Sequence, residues 1–68
     1  MSEFSNQLKE ARSARSLSLR GLSKLCGITV SLIHAYENDN VEPTTGNILK
    51  LSKALDTPFI IGQIEDVD

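Results

Sequence analysis

Four stretches of the chain carry apolar residues at helical spacing, each bounded by residues that start or stop helices. From Ser2 to Arg15 there is no Gly or Pro, and Phe4, Leu8, Ala11 and Arg15 fall three or four apart. The spacing predicts a first helix over about 4–15. Ser16-Leu17-Ser18 is a short connection ending in a favoured N-cap, so a second helix is predicted over 19–26. It stops at Gly27, the residue best suited to a left-handed C-terminal turn. Thr29 then caps a third helix that ends near Asn38 and carries Ile33 and Tyr36 on one face. Asn38-Asp39-Asn40-Val41-Glu42-Pro43 is turn chemistry throughout. Beyond it Thr44 or Thr45 caps a fourth helix that runs to Leu55, with Ile48, Leu51 and Leu55 as its apolar stripe. The stretch from Thr57 to Ile64 reads two ways. Its β-branched and aromatic residues favour a strand, the preferred reading, whereas Thr57-Pro58 also starts helices well. The expected fold is therefore all-α with four or five helices. A helical domain covers 1–57, and 58–68 forms a short strand or helix with an acidic tail.

Length and composition narrow this picture. A chain of 68 residues holds one small core, and 40% hydrophobic with 24% charged residues is ordinary for a globular protein. With three aromatics (Phe4, Tyr36, Phe59), aliphatic packing must fill that core. No apolar run approaches the ~20 residues of a membrane span, and no basic stretch precedes an apolar one, so the expectation is a soluble, cytoplasmic protein without membrane contact. One cysteine and one histidine cannot form a four-ligand zinc site. Cys26 reads as a small core hydrophobe, with a redox switch as the rarer alternative. No Gly-rich phosphate loop, metal cluster, or nucleophile with its base is present, so neither an enzyme nor a cofactor is expected. Helix packing with self-association is left as the source of stability. The start Met1-Ser2 and the acidic end suit a complete small protein.

Net charge is −2, but it is unevenly placed. Residues 1–55 hold seven bases against five acids, a local balance of +2, while residues 56–68 hold four acids and no base. A weakly basic body with an acidic tail permits nucleic-acid binding without indicating it.

The two short helices 19–26 and 29–37 around a glycine turn have the sequence form of a helix-turn-helix, spanning about 18–37. In that motif Leu22 faces the core, Ser23 is small where the helices cross, Ile28 plugs the turn and Ile33 packs back from the third helix. A helix held in this way can enter the DNA major groove by its N-terminal half.

From Leu8 to about Thr57 the chain resembles the lambda-repressor-like, Xre/Cro-type DNA-binding domains of phage repressors, Cro-like proteins and antitoxins. The resemblance rests on Leu8-Lys9-Glu10-Ala11-Arg12, Leu17-Ser18, Leu22-Ser23, Gly27-Ile28-Thr29, Ile33, Tyr36-Glu37-Asn38, Pro43-Thr44 and Ile48 through Leu55. It implies a dimer that binds a palindromic operator in double-stranded DNA through helix 29–37. It also implies that Arg12 pairs with Glu37, which suits two charges lying on otherwise core-facing stripes. The DNA-facing positions depart from the family. Leu19 stands where the family usually has Gln, base-reading positions hold Val30, Ser31 and Ala35, and Asn40 and Val41 replace a frequent basic pair. Ser18, Arg20, Thr29, Ser31, His34 and Asn38 can still donate to phosphate, and Val30 or Ala35 can touch a thymine methyl. Few of these contacts are charge-assisted, which points to a shallow salt dependence.

Bland readings stand beside these. His34 can be a solvated helix residue, and Asn38 can serve as a C-cap alone. Leu19, Leu25, Leu32 and Val41 are apolar at positions the family exposes. They are either scattered surface hydrophobes or a patch for a protein partner such as a toxin. Gly21 inside the second helix implies a close approach to something. In the tail, Phe59, Ile60, Ile61 and Ile64 would pair with their two-fold mates in an antiparallel ribbon, or Phe59 would pack on the core from a fifth helix. A transcriptional regulator, most simply a small dimeric repressor, is the leading function. The alternative is an antitoxin-like or other protein-binding module with weak or no base readout.

Overall fold

Helix ends organise this chain. The computed structural model describes residues 3–59, and in it the chain forms α1 (Glu3–Ala14), α2 (Leu19–Cys26), α3 (Val30–Glu37) and α4 (Thr45–Leu55). Three helices open on a hydroxyl cap. Ser18 Oγ accepts the Gly21 N–H at 2.9 Å, Thr29 Oγ1 the Leu32 N–H at 3.3 Å, and Thr44 Oγ1 the Asn47 N–H at 3.2 Å. Thr44, not Thr45, is thus the cap of α4. Each such cap contributes about 1 kcal/mol.

All four helices close on a left-handed residue. Gly27 was the expected one, at φ 79°. The other three are Ser16 (φ 55°), Asp39 (φ 60°) and Asp56 (φ 51°). Each of these donates its own N–H three residues back, and the residue after it donates five residues back. The pairs are Ser16 to Ser13 with Leu17 to Arg12, Asp39 to Tyr36 with Asn40 to Ala35, and Asp56 to Lys53 with Thr57 to Ser52. These bonds satisfy carbonyls that a helix end otherwise leaves open. The left-handed turn at Ser16 also ends α1 at Ala14, one residue short of the expected Arg15.

The core lies where all four helices meet. Phe4 and Leu8 of α1, Leu22 of α2, Ile28 of the turn, Ile33 and Tyr36 of α3, and Leu51 and Leu55 of α4 are buried. α3 packs on α1 and α2, and α2 packs on α4. The Phe4 ring meets Tyr36 edge-on at 5.9 Å and Phe59 at 5.3 Å, and the Tyr36 hydroxyl accepts the Asn47 amide N–H at 2.8 Å. Cys26 packs partly buried against this cluster. So do Leu19 and Leu32, which corrects the expectation that both are exposed. Each turns its side chain to the core, where burial of aliphatic surface is favourable. Leu25 and Val41 are exposed as expected. No strand occurs among the described residues, and Ile60, Ile61 and Ile64 lie outside them.

One ion pair crosses this core. Arg12 donates from Nε to Glu37 Oε2 at 2.6 Å and from Nη2 to Oε1 at 2.9 Å, a bidentate fork. Its third nitrogen, Nη1, donates to the Leu17 carbonyl at 2.8 Å. The Glu37 side chain is 7% accessible and that of Arg12 20%. The bond to Glu37 raises the Arg12 pKa, partial burial lowers it, and the Glu37 charge raises it further, with a net rise. A guanidinium with a raised pKa contributes its stability at every pH below its ordinary value and loses it only in strong base.

Arg12→Ala leaves a nearly buried carboxylate without its partner and should cost about 3 kcal/mol, the lower edge of the range for breaking a buried pair. Thermal unfolding should then move down by more than 10 °C, at about 4–8 °C per kcal/mol for a domain of this size. A melting temperature within 3 °C of the parent would refute the assignment. The left-handed ends give two substitutions of opposite sign. A Cβ added at Gly27 meets no atom within 4 Å, so Gly27→Ala should cost about 1 kcal/mol through φ alone. Ser16→Gly should gain about 0.5 kcal/mol, the relief of φ less the entropy glycine adds to the unfolded chain. Denaturant titration of the two variants checks both signs.

Candidate nucleic-acid interface

The turn between α2 and α3 sets the direction of α3. Gly27 closes α2, Ile28 is buried beneath the turn, and the Ser23 hydroxyl donates to the Ile28 carbonyl at 2.5 Å. Ser23 was expected to be small at the crossing, but its hydrogen bond across the turn was not foreseen. The glycine at 21 also has its account. A Cβ there would stand 3.3 Å from both Leu17 Cδ2 and Ser18 Oγ, the oxygen that caps α2.

α3 has two faces. Ile33, Tyr36 and Glu37 are buried, and Leu32 is half-buried against the core. On the other side Val30, Ser31, His34 and Asn38 are exposed, with Ser31, His34 and Asn38 three or four residues apart along one stripe. Ser18 and Arg20 at the start of α2, and Thr29 before α3, are exposed as well. Seven of the nine expected DNA-facing residues are therefore open to a partner. Leu19 and Ala35 are the two that are half-buried, which leaves them less surface for a groove contact.

The chemistry offered by this surface is mostly neutral. Ser18 and Thr29 accept backbone N–H groups at their caps, and each keeps a hydroxyl hydrogen to donate. Arg20 and Lys24 are the exposed bases of α2, while α3 has no Lys or Arg. Asn38 closes α3. Its Nδ2 donates to the His34 carbonyl at 2.8 Å and lies 3.1 Å from His34 Nε2. Both contacts lie inside α3, and the Asn38 side chain is exposed. Away from this surface, an open groove of about 560 Å³ runs along α1 between Gln7, Glu10, Ala11, Ala14, Arg15 and Thr57. The Thr57 hydroxyl there already donates to the Leu55 carbonyl at 2.9 Å. No group of three metal-ligating side chains occurs among the described residues.

Two short helices around a glycine turn, the second locked on one face and open on the other, have the geometry of a helix-turn-helix. The family model HTH_3, "Helix-turn-helix", matches residues 8–61. The chain belongs to this family. The relatives that share this domain are named as HTH-type transcriptional regulators. Over 58 residues it is 35% identical to the uncharacterized HTH-type transcriptional regulator y4dL of Sinorhizobium fredii, covering 85% of this chain and 30% of that protein. It superposes on an HTH_3 family transcriptional regulator from Vibrio cholerae with a TM-score of 0.81 and 31% identity, covering 85% of this chain and 33% of that one. It also superposes on the restriction-modification controller protein C.AhdI from Aeromonas hydrophila with a TM-score of 0.78 and 36% identity. There the coverage is 81% of this chain and 83% of the other. The HTH_3 domain thus spans about a third of the first two relatives and most of the third.

Within the HTH_3 domain, the tail residue Phe59 is half-buried against Phe4. This is the core-packing role weighed for it, although no fifth helix holds it among the described residues. No described helix is long and apolar enough to cross a membrane.

Ser23→Ala keeps the small volume that the helix crossing needs and leaves the Ile28 carbonyl without this donor. It should cost about 1 kcal/mol, and amide exchange at Gly27 and Ile28 should quicken before exchange in α4 does.

Proposed function

We propose that this chain binds double-stranded DNA as a cytoplasmic transcriptional repressor, docking as a homodimer on a palindromic operator with α3 in the major groove. One observation carries the reading. The N-terminal half of α3 presents Val30, Ser31 and His34 to the outside, while Ile33, Tyr36 and the Arg12-bound Glu37 fix the opposite face to the core. A helix that reads base edges needs both properties, an open face and no freedom to roll. Ser18, Arg20 and Thr29 supply donors for the phosphates beside the groove. Ser31 and His34 supply polar contacts to bases, and Val30 an apolar contact to a thymine methyl, with Ala35 limited by its partial burial. The 1–57 portion is the DNA-binding domain, and Ile60, Ile61 and Ile64 of the 58–68 segment supply the dimer contact.

The exposed apolar residues favour a second reading. Leu25 is 60% accessible, Leu49 55%, Val41 43% and Val30 37%. A surface of this kind suits an antitoxin-like module that holds a protein partner on a helix-turn-helix scaffold.

Selection of duplexes from random DNA, followed by titration of the winner at two salt concentrations, separates the readings. A regulator should select a palindrome with half-sites about one helical turn apart, with a salt slope that falls by about 0.9 per half-site contact in Arg20→Ala. No consensus, with weak binding to every duplex, would leave the protein-binding module. Deletion of residues 60–68, which spares Phe59, should yield monomers in sedimentation. A truncated chain that still dimerises would remove the tail from the interface.

A further inference from the structure

His34 and Asn38 form a closed unit on the exposed stripe of α3, and its geometry fixes more than a helix cap. A backbone carbonyl can only accept, so the Asn38 atom 2.8 Å from the His34 oxygen must be the amide nitrogen, as placed. That same nitrogen lies 3.1 Å from His34 Nε2. An amide NH2 has two hydrogens and no lone pair to offer, so the ring nitrogen that meets it must be the acceptor. The proton of the neutral imidazole then sits on Nδ1.

We infer that Asn38 is a positioning residue that holds His34 as the Nδ1–H tautomer, so that His34 meets a DNA base with a single donor and discriminates against cytosine. Nε2 is occupied by Asn38 and Nδ1–H is the hydrogen left to give. In the major groove such a donor finds an acceptor on guanine (O6, N7), adenine (N7) and thymine (O4), whereas cytosine offers the N4 amine, donor against donor. The role assigned to Asn38 is thus to choose what its neighbour reads, not to hold a phosphate. The inference rests on the reading of α3 as the major-groove helix.

His34 is the chain's single histidine, so its ring signals need no assignment. Long-range proton–nitrogen correlation on the free, labelled full chain at pH 8.5 reports the tautomer without any DNA. The parent should show Nδ1–H, the form an unrestrained imidazole favours less, and Asn38→Ala should return it to the ordinary preference. Asn38→Asp keeps the shape of the side chain but replaces the donor with an acceptor, and should turn the ring to Nε2–H. A parent ring that is mainly Nε2–H, or one that Asn38→Ala leaves unchanged, overturns the inference.

Duplex selection then tests the readout. The parent should disfavour cytosine at one position of each half-site, and His34→Ala and Asn38→Ala should each erase that preference, a change of about three- to tenfold for one hydrogen bond. Neither should alter the salt slope, because neither removes a charged phosphate contact. Asn38→Asp should move the preference toward bases that present an amine. Loss of the preference in His34→Ala but not in Asn38→Ala, or a shallower slope in Asn38→Ala, overturns the positioning role. A parent that selects no sequence overturns the DNA-binding reading itself and this inference with it, whatever the tautomer measured in the free chain.

Discussion

The grip of Arg12 is the constraint on which the rest of the domain depends. Its guanidinium reaches the carboxylate of Glu37 at the end of α3 and the carbonyl of Leu17 ahead of α2, while its own carbonyl accepts the Leu17 N–H. One residue of α1 therefore ties together the two helices of the motif. The planar fork of arginine suits this task because it can bind a carboxylate with two nitrogens and still have a third free, which a lysine cannot do. All three groups it serves are main-chain or nearly buried, so the motif is held from behind, away from the exposed stripe of α3.

That surface is poor in charge. α3 carries no Lys or Arg, Arg20 and Lys24 are the bases of α2, and the hydroxyls at Ser18 and Thr29 serve their own helices first. Affinity for DNA generally leans on phosphate neutralisation. On the proposed function, a domain with little of it relies on fit, on neutral hydrogen bonds and on the doubling of contacts in the proposed dimer. The same scarcity of charge leaves room for apolar residues at Leu25, Val41 and Leu49, so that a partner of a different class remains compatible with the fold.

Much of this architecture was legible in the sequence because its signals are local or periodic. Ser18, Thr29 and Thr44 announce helix starts, Gly27 announces a left-handed end, and Leu8, Leu22, Ile33, Leu51 and Leu55 repeat at the spacing of one buried face. Asp39 lies among the turn residues 38–43, but the left-handed residues Ser16 and Asp56 gave no such sign, since the carbonyls that hold them there lie on the backbone and any residue supplies one. Leu19 and Leu32 were misjudged for a related reason. Each flanks the core stripe of a short helix, and which way a flanking side chain leans depends on a neighbour that the pattern does not reveal. At the interface the exposed stripe of α3 followed from its period, but the engagement of Asn38 with His34 did not, because both amide hydrogens could as well have pointed to solvent. The Asn47 bond to the Tyr36 hydroxyl joins residues eleven apart across a turn and was equally out of reach.

The helix ends have one further consequence, for how fast the chain finds its fold. A hydroxyl cap at the front of three helices and a left-handed closure behind all four are satisfied by residues at most five apart in sequence. Contacts of this kind form without bringing distant parts of the chain together, so they carry little loop-closure entropy. Helical domains dominated by them fold on the microsecond to millisecond scale. The bond between Arg12 and Glu37 spans 25 residues and has no such help. Segments already bent to their final shape can thus assemble ahead of it, and the ion pair closes a structure whose pieces are in place.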